Sequence, residues 1–175
     1  STRRRCLLLG VGGGATLSAL RQWGQQSAAK WGDNFMWDLV AVDLSGAVID
    51  SAVSLFGAPP GVRVNRASFE ADQHKDVDSQ ICSGMCYVVG DAIGFLEDEV
   101  KRCCSQGTHF ECGRMGYDAV LCDLFRQECV LDSEGLGSVA ALAARVLRPG
   151  GIFAANLLWK NCSKKVVRVV TTALS

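Results

Sequence analysis

Four short apolar runs, each stopping at a glycine or an aspartate, constrain this chain more than any other feature. Cys6-Leu7-Leu8-Leu9 stops at Gly10, and Leu39 to Val42 stops at Asp43. Cys86 to Val89 stops at Gly90-Asp91, and Tyr117 to Cys122 stops at Asp123. Continuous apolar runs of this length suit strands buried on both faces, the environment of a parallel sheet. A fifth strand is expected from Ile152 to Trp159. Helical spacing separates the runs. Ala15 to Trp23 reads as a short helix, and Val48, Ile49, Ala52, Val53 and Phe56 mark a second, ended by Gly57-Ala58-Pro59-Pro60-Gly61. Ile93, Leu96, Val100 and Cys103 or Cys104 form a third helix face. Leu136, Val139, Ala140, Ala143, Val146 and Leu147 form a fourth, closed by Arg148-Pro149-Gly150-Gly151, and Val166 to Leu174 reads as a final helix. Strand and helix in alternation imply an α/β fold with a doubly wound, mostly parallel sheet.

The chain of 175 residues has the length of one domain, expected to span 1–175. Two polar, aperiodic stretches, 65–83 and 105–116, read as insertions. The chain begins at Ser1 and directly enters a strand, so it reads as a piece of something longer, truncated after the fifth strand and its helix. No run of 18 apolar residues occurs, which argues against a membrane span. Eighteen basic residues balance eighteen acidic ones, so no general excess of positive charge invites nucleic acid. The nine cysteines form no C-x2-C pair, and His74 and His109 lie in separate segments. Reduced thiols used as small apolar residues therefore fit better than a metal site, and they point to a reducing, cytoplasmic compartment.

In open α/β sheets ligands sit outside the carboxyl ends of the strands. Gly10-Val11-Gly12-Gly13-Gly14 follows the first strand and leads into a helix. Glycines there let the backbone turn sharply and come close to a ligand. Asp43 ends the second strand, placed to accept hydrogen bonds from two ribose hydroxyls. Asp91 ends the third, where a carboxylate can accept from an exocyclic amine, and Asp123 ends the fourth beside a reacting centre. Each feature has a plainer reading. The glycines alone fit a tight turn, Asp43 or Asp91 alone fits a helix cap, and Gly10, Gly12 and Ala15 also match a dinucleotide fingerprint. All four in order, each directly after a strand, favour an adenosine site.

The motifs at these tips resemble those of the class I S-adenosylmethionine-dependent methyltransferases. Leu-Leu-Leu-Gly-Val-Gly-Gly-Gly at 7–14 is similar to their first motif and Ala-Val-Asp-Leu-Ser at 41–45 to their acidic second. Val-Gly-Asp-Ala at 89–92 resembles the adenine contact, and Tyr-Asp-Ala-Val-Leu-Cys-Asp-Leu-Phe at 117–125 the fourth motif. Leu-Arg-Pro-Gly-Gly at 147–151 resembles the turn into strand five. Within that superfamily the triple glycine, Ala47 to Ala52, Phe56-Gly57 and Ala155-Asn156-Leu157 resemble the spermidine-synthase-like branch, which holds polyamine aminopropyltransferases and certain protein methyltransferase domains.

The resemblance implies a Rossmann-like fold and S-adenosylmethionine as cofactor. By position, Gly10, Gly12 and Gly14 would line the cofactor's amino-acid end, and Asp43, with Leu44 beside it, would hold the ribose. Asp91 and Ala92 would meet the adenine, and Asp123 would stand at the transfer centre. In aminopropyltransferases the fourth motif resembles D-x-x-D, but here it reads Asp123-Leu124-Phe125-Arg126. A guanidinium in place of the second carboxylate opposes a cationic polyamine. Methyl transfer to a protein or small amine is therefore expected, with aminopropyl transfer and a non-catalytic scaffold as alternatives. Glu128 and Asp132 are candidates for the acceptor side, as is Trp159 with Asn156. Trp23 and Trp37 are expected to pack the first helix, and Cys122 to be core. Homodimerisation or association with flanking domains is expected of so short a core.

Overall fold

The computed structural model describes residues 2–31, 35–66, 84–105, 116–126, 129–130 and 133–156. The chain forms two compact units, Ser1–Ala92 and Ile93–Ser175. Each has the α/β character expected from the sequence.

In the first unit, β1 (Thr2–Leu9), α1 (Ala15–Trp31), β2 (Phe35–Asp43), α2 (Gly46–Leu55), β3 (Val62–Asn65) and β4 (Met85–Val89) follow in chain order. The strands lie side by side as β3-β4-β2-β1, every pairing parallel. Leu7, Leu8 and Leu9 are buried in succession, as are Val40 to Val42 and Met85 to Val88. Successive strand side chains point to opposite faces, so unbroken burial means that both faces are covered. Parallel register also brings the strand ends together, since Leu9 pairs with Val42 and Asp43 with Val89. The bends after β1, β2 and β4 thus leave the sheet along one rim.

In the second unit, α3 (Ala92–Ser105), whose first residue closes the first unit, is followed by β5 (Tyr117–Cys122), a small antiparallel hairpin of β6 (Phe125–Arg126) and β7 (Cys129–Val130), α4 (Ser133–Val146) and β8 (Leu147–Ala155). β5 and β8 pair in parallel, with Cys122 opposite Ala155. Tyr117 pairs with Leu147 but Ala119 with Ile152, so Arg148 to Gly151 bulge out of the ladder. Gly150 takes a φ of 78° there. The expected Arg-Pro-Gly-Gly turn is therefore present as a bulge inside β8 rather than as a loop before it. Arg148 fixes it: Nε and Nη2 donate to the Gly116 carbonyl at 3.3 and 3.0 Å, and Nη1 lies 3.1 Å from buried Asp118.

β3, the 125–130 hairpin and α1 differ from expectation. β3 is a real strand at 62–65, ending on Asn65, the first residue of the expected insertion; its Val-Arg-Val alternation is too short to read alone, and pairing with β4 is what makes it one. The 125–130 hairpin likewise has too few residues per strand for a periodic signal. α1 runs on to Trp31, past the expected end at Trp23, and Gly24 inside it leaves room for Trp37, whose ring centroid is 5.6 Å from that of Trp23. Those two tryptophans do pack α1 against β2. Most of the two expected insertions and the expected helix at 166–174 lie outside the described residues.

One buried carboxylate ties α3 to β5. Glu99, 2% exposed, accepts from Arg102 Nε at 3.1 Å, from Arg102 Nη2 at 2.8 Å and from the Tyr117 hydroxyl at 3.0 Å. A buried charge is tolerable only when hydrogen-bonded in this way. Tyr117→Phe is expected to lower stability by about 1–3 kcal/mol, the worth of a hydrogen bond to a charged group, in chemical denaturation. An unchanged midpoint would show that Arg102 alone satisfies Glu99.

Candidate functional site

The bend after β1 is built by glycine backbone. Gly10, Gly12 and Gly14 have φ of 90°, 50° and 73°, the left-handed region that other residues enter at a cost. The Gly10 N–H donates to the Val42 carbonyl at 2.8 Å, extending the β1–β2 ladder one residue, and the Gly14 N–H closes the turn onto the Val11 carbonyl at 2.9 Å. Gly12 and Gly13 are exposed, and a Cβ on either would meet nothing within 4 Å. Gly14 is different. It is buried, and a Cβ there would fall 2.8 Å from that of Ala58 and 3.2 Å from that of Ala52. Open space therefore adjoins Gly12 and Gly13, whereas Gly14 faces protein.

Asp43 closes the same corner. Its Oδ2 accepts from the Val11 N–H at 2.9 Å, and its Oδ1 from the Ser45 N–H at 2.9 Å. One carboxylate thus bridges the bend after β1 and the start of α2. The next tip is joined by backbone alone, as the Gly90 N–H donates to the Asp43 carbonyl at 2.9 Å. Each carboxylate oxygen carries a second lone pair, so the bridging Asp43 keeps acceptor capacity for hydroxyl groups. The sequence places Asp43 at this rim as a ribose contact or a helix cap; its bond to Ser45 at the start of α2 agrees with the second role, whereas its bond to Val11 across the bend has no local sequence signal. Leu44 beside it is 77% exposed. Asp91 is exposed and Ala92 buried, at the start of α3. Gly10, Gly12, Gly14, Asp43, Leu44, Asp91 and Ala92 therefore all belong to the first unit.

Asp123 belongs to the second. It follows β5, and Asn156 follows β8. The Asn156 N–H donates to the Cys122 carbonyl at 2.8 Å, and its Nδ2 donates to Asp123 Oδ1 at 2.8 Å. A neutral amide orients the carboxylate without competing for its charge. Sequence reading set Asn156 beside Trp159, and only register reveals its bond to Asp123; Trp159, Glu128 and Asp132 lie outside the described residues. Cys122 is buried core, as expected. Burial pushes its thiol pKa up, opposed by a backbone hydrogen bond from Leu124 and reinforced by the Asp123 charge. Burial likewise pushes the Cys86 thiol up to about 11. Thiols held protonated in this way are poor nucleophiles. Among the described residues no cluster of His, Cys, Asp and Glu is placed to hold a metal ion, and no helix is long and apolar enough to cross a membrane.

No protein-family model matches the chain, and no curated protein does. Solved structures do. SMU.776, a methyltransferase by assignment and solved in complex with SAH, aligns over 98% of this chain and 36% of its own, with a TM-score of 0.54 and 15% identity. That likeness establishes the fold, the Rossmann-like α/β fold of that protein. Phosphoethanolamine N-methyltransferase 2 of Haemonchus contortus, solved with S-adenosyl-L-methionine, aligns at a TM-score of 0.44 and 16% identity over 99% of this chain and 33% of its own. CalS10 of Micromonospora echinaspora, an amino pentose methyltransferase solved with SAM, aligns at 0.43 and 17% identity over 89% and 43%. The fold assignment rests on the first alone. This chain spans between about a third and just under half of the length of each.

The glycines separate experimentally. Gly14→Ala places a methyl against Ala58 in a left-handed conformation and is expected to cost about 2–4 kcal/mol of stability. Gly12→Ala meets no neighbour and is expected to cost about 1 kcal/mol, the backbone penalty alone. Thermal and chemical denaturation of the two variants check the order; equal losses would contradict the packing of Gly14.

Proposed function

We propose that this chain is the adenosyl-binding core of an S-adenosylmethionine-dependent methyltransferase. The observation that carries the reading is the Asp43 carboxylate, tied to Val11 and Ser45 at the mouth of a glycine bend whose Gly12 and Gly13 adjoin open space. That corner suits an adenosyl group. Asp43 offers its remaining lone pairs to a ribose diol, and exposed Leu44 offers an apolar surface to a flat base. Gly12 and Gly13 let a polar chain approach the backbone closely. Asp91 and Ala92, next along the rim, are assigned to the adenine by their motif.

The bound sulfonium would supply an activated methyl group, so the protein's task is chiefly to hold a nucleophile in line with it. By its place in the fourth motif alone, we assign that task to Asp123. Bound S-adenosylmethionine would supply the methyl group to a neutral acceptor amine and would leave as S-adenosylhomocysteine. Asp123, oriented by Asn156, accepts a hydrogen bond or the proton from the amine. A protein amine or a small amine is the acceptor class that such a carboxylate favours. The triple glycine and Ala155-Asn156 support a place in the spermidine-synthase-like branch. Aminopropyl transfer fits less well, because Arg126 stands where a second carboxylate would anchor a polyamine.

Calorimetry separates the readings. S-adenosylmethionine and S-adenosylhomocysteine are expected to bind, with decarboxylated S-adenosylmethionine weaker and NAD not detected. Selective binding of the decarboxylated form would instead establish aminopropyl transfer, and NAD alone a dehydrogenase. Asp43→Ala is expected to weaken S-adenosylhomocysteine by about 1–3 kcal/mol, and an unchanged affinity would remove the ribose from this corner.

A further inference from the structure

Gly14 is held by the turn that ends α2, and that turn is held in its place by a strand. Gly57 there has a φ of 72°, and the Ala58 N–H folds back onto the Ala52 carbonyl at 3.0 Å. On one side the turn meets the start of α1: the Ala58 methyl occupies the space beside Gly14, and Ser18 Oγ donates to the Gly57 carbonyl at 3.3 Å. On the other side the Pro59 carbonyl accepts from the Tyr87 hydroxyl at 2.7 Å. Tyr87 is 1% exposed, in the middle of β4. A phenylalanine there would fill the same apolar volume, so the hydroxyl must be explained by its bond. A buried hydroxyl is tolerated where it finds an acceptor, and this one finds the Pro59 carbonyl. Burial also pushes its pKa up to about 12, so it remains a donor at physiological pH.

We propose that Tyr87 is a positioning residue for the glycine-rich bend: its hydroxyl fixes Pro59, which sets the Ala58 methyl against Gly14 and so the opening at Gly12 and Gly13. The bend is thereby clamped at both ends, by Asp43 at Val11 and by the Gly57–Pro59 turn at Gly14. Only one of these clamps touches the ligand corner. Tyr87 acts at a remove, through backbone and one methyl group. Its consequence for binding rests on the cofactor reading above, whereas the mechanical coupling does not.

Tyr87→Phe tests the coupling by hydrogen exchange on the ligand-free protein. The hydrogen-bonded amides of Gly14 and Ser18 are expected to exchange about fivefold faster, the effect of losing one hydrogen bond, while those of Cys6 to Leu9 keep their rates. Faster exchange confined to Gly57–Pro59, or spread evenly over β1, would overturn the proposal. Ala58→Gly, which leaves the Tyr87–Pro59 bond intact but removes the methyl, is expected to loosen the same amides, and no change there would equally overturn it. The binding readout is the contrast between S-adenosylhomocysteine and adenosine. Tyr87→Phe is expected to weaken the former about fivefold and leave the latter unchanged, because only the former has an amino-acid end to meet the bend. Equal losses would mean a general structural role. If the wild-type chain binds neither, the cofactor reading fails and the exchange rates still decide the role of Tyr87.

Discussion

The corner at the head of the first unit depends on one carboxylate shared by two backbone amides. A parallel strand pair delivers β1 and β2 to the same rim, but it does not dictate how the chain leaves each strand. Asp43 does so by accepting from Val11 on one side and Ser45 on the other. Both donors are amides that a bend would otherwise leave to water, and an ionised acceptor makes stronger bonds to them than a neutral one. The glycines then become permissible rather than merely loose, since their left-handed conformations are held from outside.

The second unit organises its strand ends differently. Asn156 extends the β5–β8 ladder by one backbone bond and, from the same position, holds Asp123 with its side chain. At the opposite end of these strands Arg148 binds Asp118 and the Gly116 carbonyl, which keeps the Pro-Gly-Gly bulge from slipping the register. Charge here stabilises geometry at one end and presents a carboxylate at the other.

Much of this was legible because buried parallel strands have a blunt signature. Cys6 to Leu9, Leu39 to Val42, Cys86 to Val89 and Tyr117 to Cys122 all lie in strands, and Gly10, Asp43, Asp91 and Asp123 stand at their ends. What escaped the sequence was contact rather than element. Nothing in a run of three glycines tells that Gly12 adjoins open space while Gly14 rests on Ala58, because the difference lies in a turn more than forty residues away. The bond from Tyr87 to Pro59 and that from Asn156 to Asp123 likewise join residues 28 and 33 positions apart, through register that no local pattern encodes. β3 and the 125–130 hairpin were too short to carry a period, so pairing decided them.

The most direct measurement of the central claim is an amide NMR titration of the isotope-labelled chain with S-adenosylhomocysteine. If Asp43 and the glycine bend form an adenosyl corner, the amides of Val11, Gly12, Gly13, Leu44 and Ser45 shift together and saturate at one ligand concentration. A saturating ligand that leaves those five amides in place while moving others would contradict it.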